Sequence, residues 1–370
     1  MAKNARQVIG GVDTHADTLV VAVIDEVGRV VGSTEFASDG AGCAALLRWL
    51  RRHGRVRAVG VEGTGSYGAG LARALTAAGI SVVEVNRPDR SARRARGKSD
   101  PVDAEAAARA VLAGTATATP KARDGQVEAI RVLRTVRTSA VKARTAALNS
   151  LLATARSAVE PVAEALHGLT ARQLVRLLTD DLPAPGLALA ELAPGAAAEQ
   201  ATRRAMRRLA ERISQLDNEI ADADRELRAL TVRVAPALLS RPGVGPEVAG
   251  QLLTTAGDNP RRLTDHNSFA RLTGVAPLEA SSGRTVRHRL SRGGDRQANR
   301  ALHTVVLARM SHDPRTRDYV ARRTAQGLSK REIIRCLKRY VARELFSLII
   351  DAITPADHDP TAPQALTPAA

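Results

Sequence analysis

Between residues 202 and 234 the apolar residues keep a heptad rhythm that leaves few folds open to the chain. Met206, Leu209, Ile213, Leu216, Ile220, Ala223, Leu227 and Leu230 follow at alternating steps of three and four. Held for about four heptads with charges around it, this spacing predicts one long helix carrying an apolar seam. The seam needs a partner. Either a second copy of the chain supplies it, or the helix folds back on residues 125–156, which read as helical throughout. A long amphipathic helix on its own domain is the third possibility. In each case the 370 residues divide, and a chain of this length is expected to hold two to three domains.

The N-terminal part reads differently. Gln7–Asp13 is an apolar strand ending on an acid, Thr18–Ile24 is rich in β-branched residues, and Val30–Phe36 alternates after a turn at Glu26-Val27-Gly28. Ser38-Asp39-Gly40 opens a helix through Leu46, Leu47 and Leu50. Val56–Val61 is a fourth strand ending in Glu62, Gly63–Gly68 a loop, Ala69–Ala78 a helix and Ile80–Val85 a fifth strand. A three-stranded meander followed by helix, strand, helix, strand is the order of a ribonuclease H-like α/β domain. A basic stretch from Arg87 to Lys98 leads to Asp100-Pro101-Val102-Asp103, where Asp100 is expected to cap a helix that runs to Leu112 and stops at Gly114.

Residues 157–200, rich in Pro, Ala and Gly, predict irregular chain with short helices. From 236 to 350 the chain reads as helical. Leu239–Gly245 followed by a helix from Pro246 is similar to a helix-hairpin-helix, whose free N–H groups can hold a DNA phosphate. Further helices are expected near 265–273, 296–311, 316–326 and 330–352, the last with a capping box from Ser329 and Glu332. The expected organisation is thus a ribonuclease H-like domain (1–115), a helical coiled-coil and dimerisation region (116–235), a mainly α-helical C-terminal domain (236–353) and a disordered tail (354–370).

Charge says what such a chain meets. The formal net charge is +17, and Ser281–Arg343 holds 17 Lys and Arg against four acids. An excess so concentrated calls for a polyanion, most simply nucleic acid. Aromatic residues make up 2% of the chain, so contact with the phosphate backbone explains binding better than base stacking. Cys43 and Cys336 are too few for a disulfide framework and read as core residues. No signal peptide or membrane span is expected, so the chain reads as a soluble protein of a reducing compartment that faces nucleic acid.

The candidate chemistry rests on acids at element ends. Asp13 and Glu62 can point into one site if their strands are neighbours, and Asp100 and Asp103 share one face of a helical turn. Four converging carboxylates repel one another unless cations neutralise them. Two Mg²⁺ ions about 3.5–4 Å apart do this in nucleases. Taken singly, each acid has a plainer reading as a turn residue, an ion-pair partner or a cap.

Three N-terminal segments, Gly10-Gly11-Val12-Asp13-Thr14-His15, Val61-Glu62-Gly63-Thr64-Gly65-Ser66-Tyr67 and Lys98–Ala104, resemble the DEDD transposases of the insertion sequence 110 family. That family includes the Piv-type invertases and the bridge-RNA-guided recombinases. In the second half, Arg241–Pro246, Phe269–Pro277, Ser281-Ser282-Gly283 and Gly293-Gly294-Asp295 are similar to its C-terminal transposase domain. The resemblance covers about residues 8–350, with the motifs in order. It implies a Holliday-junction resolvase form of the ribonuclease H fold, with Asp13, Glu62, Asp100 and Asp103 as Mg²⁺ ligands.

The resemblance further implies a nucleophilic serine at Ser282, with Ser281 as the fallback, and a structured guide RNA, while the coiled coil calls for a homodimer or homotetramer. A serine hydroxyl attacking a phosphodiester leaves a phosphoserine link that conserves the bond for strand exchange. Arg284, Arg287, Arg289, Arg292, Arg296 and Arg300 would hold nucleic acid, and His288 is a candidate base. The rivals are an Mg²⁺-dependent junction nuclease in which water attacks, an architectural DNA-binding protein without chemistry, and a sugar kinase-like ATPase. The last lacks the glycine its phosphate loop needs after Asp13 and leaves the +17 charge unexplained.

Overall fold

The structure is a computed structural model that describes residues 6–85, 99–180, 188–283, 288–289 and 291–354. The chain forms two compact units. The first is built from the described parts of Met1–Gly125, Ala256–Ser268 and Ile353–Ala370, and the second from those of Gln126–Thr255 and Phe269–Ala352.

The first unit contains β1 (Gln7–Thr14), β2 (Thr18–Asp25), β3 (Val30–Ala37), α1 (Gly40–Arg52), β4 (Arg55–Glu62), α2 (Ala69–Ala77), β5 (Ser81–Val85) and α3 (Asp100–Leu112). The sheet order is β3-β2-β1-β4-β5. The hairpins β1–β2 and β2–β3 are antiparallel, whereas β4 and β5 run parallel to β1. The expected strands and helices of this region are therefore present. The segment Ala256–Ser268 is tied into the same unit by side chains. The Asp258 carboxylate accepts from the backbone N–H groups of Arg123 and Gly125, each at 3.2 Å. Arg262 donates to the carbonyl of Thr119 at 3.1 Å and lies 3.9 Å from Glu84.

Period-two alternation decides what each face of the sheet meets. Val8 and Val12 join Val59 and Val61 in one core with Leu46 and Leu50 of α1 and Leu71 and Leu75 of α2. On the opposite face Ile9 and Ile24 pack on Ala108 of α3, and Val20 and Ala22 on Ala104. This second layer is thin because small residues meet. A Cβ on Gly11 would stand 2.1 Å from the Ala104 carbonyl oxygen, and one on Gly60 would stand 2.8 Å from that of Ala107. The helix backbone therefore lies directly on β1 and β4.

One expectation about α3 is corrected. The N-cap is Ser99, in extended conformation, and Asp100 is the first helical residue. The Ser99 carbonyl already accepts from the N–H groups of Val102 and Asp103 at 3.0 and 3.1 Å, so the helix begins one residue earlier than expected. Pro101 sits in the first turn, and α3 ends before Gly114 at φ +66° as predicted.

The second unit contains α4 (Gln126–Arg156), α5 (Glu160–Leu166), α6 (Ala171–Asp180), α7 (Pro194–Val234), α8 (Pro236–Leu239), α9 (Pro246–Ala256), α10 (His266–Leu272), a two-stranded hairpin of β6 (Leu278–Glu279) and β7 (His288–Arg289), α11 (Arg296–His312), α12 (Pro314–Ala325) and α13 (Lys330–Ile353). α9, α10 and α13 each reach the first unit at one end. α7 packs along α4 within the chain, so the fold-back is the pairing that the structure contains.

The buried stripe on α7 is rotated from the expected seam. Met206, Ala210, Ile213, Ala223, Leu227 and Thr231 are buried, while Leu209, Leu216, Ile220 and Leu230 are half-buried. Arg137 and Arg144 of α4 pair with Asp224 and Asp217 at the margin of this stripe, where both acids keep about half of their side-chain exposure. The capping box is present, with the Ser329 N–H donating to Glu332 at 3.0 Å. Cys43 and Cys336 are half-buried instead of fully enclosed. The tail beyond Thr354 and the basic stretch 87–98 lie outside the described residues.

Candidate active site

Asp13 occupies the α3 face of β1 because it follows Ile9 and Gly11 at steps of two. Its neighbour in the sheet is the C-terminal end of β4, where Val12 is in register with Val61. Glu62 follows Gly60 by the same step of two and lies on the same face. The two strand ends are pinned together, since Thr14 Oγ1 donates to the Glu62 carbonyl at 2.8 Å. Gly63 turns the chain away at φ +70°, where a Cβ would come within 2.8 Å of Thr14 Oγ1. The first turn of α3 brings Asp100 and Asp103 to this face.

Asp13 is 8% exposed and Asp103 is 3% exposed, so these carboxylates have little water to screen them. Burial pushes the Asp13 carboxyl above its ordinary value. His15 opposes the rise, whereas Asp103 and Asp100 add to it. His15 completes the arrangement. Its Nε2 lies 3.3 Å from Asp13 Oδ2 and 3.4 Å from Asp100 Oδ2. That nitrogen is hidden from solvent and has no hydrogen-bond partner among the described residues. Donor atoms of Asp13, His15 and Asp100 all lie within 4.8 Å of one another. Two carboxylate oxygens and an otherwise idle imidazole nitrogen, converging on one point, fit a divalent cation.

The predicted residues thus fall into three groups. Asp13, Asp100 and Asp103 come together, and Glu62 ends the adjacent strand on the same face. Ser281 and Ser282 are exposed in the second unit, next to Gly283 at φ +56°. Arg289, Arg292, Arg296 and Arg300 are exposed, and Arg284 and Arg287 lie outside the described residues.

Residues 10–159 match the DEDD transposase model of IS110, and residues 235–321 match the transposase IS116/IS110/IS902 family. The chain belongs to the IS110 family of transposases.

Similar proteins agree with that placement. The 43.6 kDa protein of insertion element IS110 from Streptomyces coelicolor is 35% identical over 119 residues, which is 32% of this chain and 29% of that protein. The 42 kDa protein of IS900 from Mycobacterium paratuberculosis is 28% identical over 156 residues, 41% of this chain and 39% of its own length. The mini-circle IS117 protein of S. coelicolor, whose name assigns it to transposition, is 27% identical over 332 residues, 77% of this chain and 80% of that protein. This IS110-family chain therefore spans well under half of the first two relatives and most of the third.

Two features of the site escaped sequence reasoning. His15 stands two positions after Asp13, in the turn that follows β1, and only that proximity signalled it. Arg123 is the other. It holds φ +58°, the one non-glycine residue with positive φ among those described. Its Nη2 lies 3.5 Å from where a Cβ on Gly65 would stand, in the loop after Glu62, and its buried Nε lacks a hydrogen-bond partner among the described residues. A bulky residue in that conformation is strained, and such strain collects at functional sites. Among the described residues no helix is long and apolar enough to cross a membrane.

Proposed function

We propose that this IS110-family chain is the transposase of an insertion sequence, a recombinase that cuts and rejoins DNA through a phosphoserine link. The observation that carries the reading is the convergence of Asp13, Asp100 and Asp103, with Glu62 on the same face of the adjacent strand. We read the first unit as a resolvase-like ribonuclease H fold, a reading supported by the strand order β3-β2-β1-β4-β5. Asp13, Glu62, Asp100 and Asp103, with His15, would hold divalent cations, Mg²⁺ in the first instance. Such ions supply charge neutralisation and polarisation at a phosphodiester.

The protein's own groups do the rest. The Ser282 hydroxyl attacks phosphorus, and the bond from phosphorus to the departing sugar oxygen breaks. The serine proton leaves to a base, for which His288 is the candidate, and the departing oxygen takes up a proton. Attack by another sugar hydroxyl on the phosphoserine reverses these steps and rejoins the strand. Arg289, Arg292, Arg296 and Arg300, together with Arg284 and Arg287, would hold the phosphate backbone. Sequence choice would come from a guide RNA that pairs with DNA. The α4–α7 arm would carry the contact between copies in a dimer or tetramer, at work in the cytoplasm on the nucleoid.

The test is to trap the adduct. Protein, Mg²⁺, co-purified RNA and DNA of the element ends are incubated and denatured, with Ser282→Ala, Ser281→Ala and Asp13→Ala beside the parent. The expected result is an adduct that persists in Ser281→Ala and is lost in both Ser282→Ala, which lacks the nucleophile, and Asp13→Ala, which lacks a cation ligand. The second reading is a junction nuclease that uses water, favoured by the acids all lying in one unit. Cleavage without an adduct, abolished by Asp13→Ala, would establish it and exclude the serine route. Neither adduct nor cleavage in the parent, with DNA binding unchanged in Asp13→Ala, would leave only an architectural DNA-binding role.

A further inference from the structure

A cavity of about 560 Å³ opens in the second unit at the base of the β6–β7 hairpin. Its lining includes His288, Arg289, Arg323, Arg335, Lys338 and Arg339. The one carboxylate in that lining, Glu332, accepts from the Ser329 hydroxyl at 2.6 Å and caps α13. Lys338 is 7% exposed, so its side chain is enclosed except where it meets the cavity. It donates to Asn299 Oδ1 at 2.8 Å. The amide of Asn299 is fixed in turn, because its Nδ2 donates to the carbonyls of Thr273 and Gly274, each at 3.0 Å. Among the described residues no carboxylate lies within ion-pair distance of Lys338, and two of its three N–H donors have no recorded acceptor. Burial, and then the nearby Arg335, hold the ammonium below its ordinary pKa. Arg323 Nε is also hidden from solvent and has no hydrogen-bond partner among the described residues.

A buried cation among like charges is costly unless an anion joins it. The cavity falls within the usual range for ligand pockets, about 300–1,000 Å³. It is too large for an inorganic anion alone, and Val275, Pro277 and Leu328 add apolar wall. We propose that this cavity is a receptor for one nucleotide unit of a bound nucleic-acid strand, with its phosphate on Lys338 and the neighbouring guanidinium groups. This rests on the reading that the chain binds nucleic acid. It deepens that reading by giving the serine hairpin a fixed register. Glu279 of the hairpin is in register with the cavity-lining His288. Ser282 follows three residues later in the chain, at most about 10 Å from Glu279 at about 3.3 Å per residue, which puts the serine segment on the strand that pairs with the cavity wall.

The test measures binding by the full-length chain to a 20-base-pair fluorescein-labelled DNA duplex and to an RNA hairpin, across a KCl series. Lys338→Met keeps the length of the side chain and removes the charge. Its affinity is expected to fall about tenfold near 0.1 M salt, with the salt dependence shallower by about one released counterion. Its thermal midpoint should hold or rise, because an unpaired buried charge is gone. Arg335→Gln, on a less buried position, should shift the slope in the same direction and serves if Lys338→Met does not fold. A loss on one probe alone identifies which strand occupies the cavity. Unchanged slopes on both probes for the folded variants would overturn the proposal. Parent protein that binds neither probe would overturn the nucleic-acid reading beneath it.

Discussion

Replacing Gly11 by alanine tests the link between packing and chemistry in this fold. The new Cβ would stand 2.1 Å from the Ala104 carbonyl oxygen and 2.3 Å from the Ala108 nitrogen. A close carbon–oxygen contact is about 3.3 Å, so α3 must retreat from β1 by about 1.2 Å. Both obstacles are backbone, and no side chain can swing aside. The cost belongs at the upper end of overpacking, about 3 kcal/mol. For a unit of this size that lowers the melting temperature by about 10 °C. The same retreat carries Asp100 and Asp103 away from Asp13, so divalent-cation binding should weaken alongside stability. Thermal unfolding followed by circular dichroism and cation titration by calorimetry read the two effects. Gly70→Ala is the control, since an added Cβ there meets nothing within 4 Å and replaces glycine in a helix. It should be neutral or stabilising by up to about 1 kcal/mol. A Gly11→Ala protein that melts within 2 °C of the parent and binds cations as well would refute the close-packed account of the site.

Further expectations concern single groups. The folded state holds the Asp13 proton more tightly than the unfolded chain does, so in chelator the stability that this proton provides is full below pH 3.8. It is lost as pH rises through the raised folded value. Asp13→Asn should flatten this slope and stabilise the cation-free protein, as melting curves from pH 3.5 to 7 would show. His15→Gln should weaken Mn²⁺ binding about tenfold and Mg²⁺ binding less, because imidazole favours the transition metal; unchanged binding of both ions would exclude His15 as a ligand. Asp258→Ala removes the acceptor for two backbone N–H groups and should destabilise the first unit by about 1–3 kcal/mol, with faster hydrogen exchange at Arg123 and Gly125.

What the sequence made legible follows from the range over which each signal acts. Strand alternation is local, and the acid endings of β1 and β4 marked Asp13 and Glu62 before their pairing was known. The partner of the heptad helix was one of two open choices. The ion pairs that flank its stripe join Arg137 and Arg144 to acids 87 and 73 residues away, beyond the reach of any local pattern. His15 has no periodic pattern to announce it. Lys338 adjoins Leu337 in a helix rich in basic residues and reads as a solvated charge; only its burial beside Asn299 gives it meaning. Asp258 and Arg262 sit in a stretch without regular rhythm, and nothing local tells that they fasten to residues more than a hundred positions earlier.

That fastening bears on how such a protein can be inherited. Ala256–Ser268 is flanked on both sides by the second unit, yet it belongs to the first. A hybrid gene made by a single crossover near residue 125 would pair one parent's Thr119 and Arg123 with the other parent's Asp258 and Arg262. The front and back of the chain are therefore not freely interchangeable parts. A graft that respects the fold must carry this short insert along with the N-terminal piece, as two exchanges and not one.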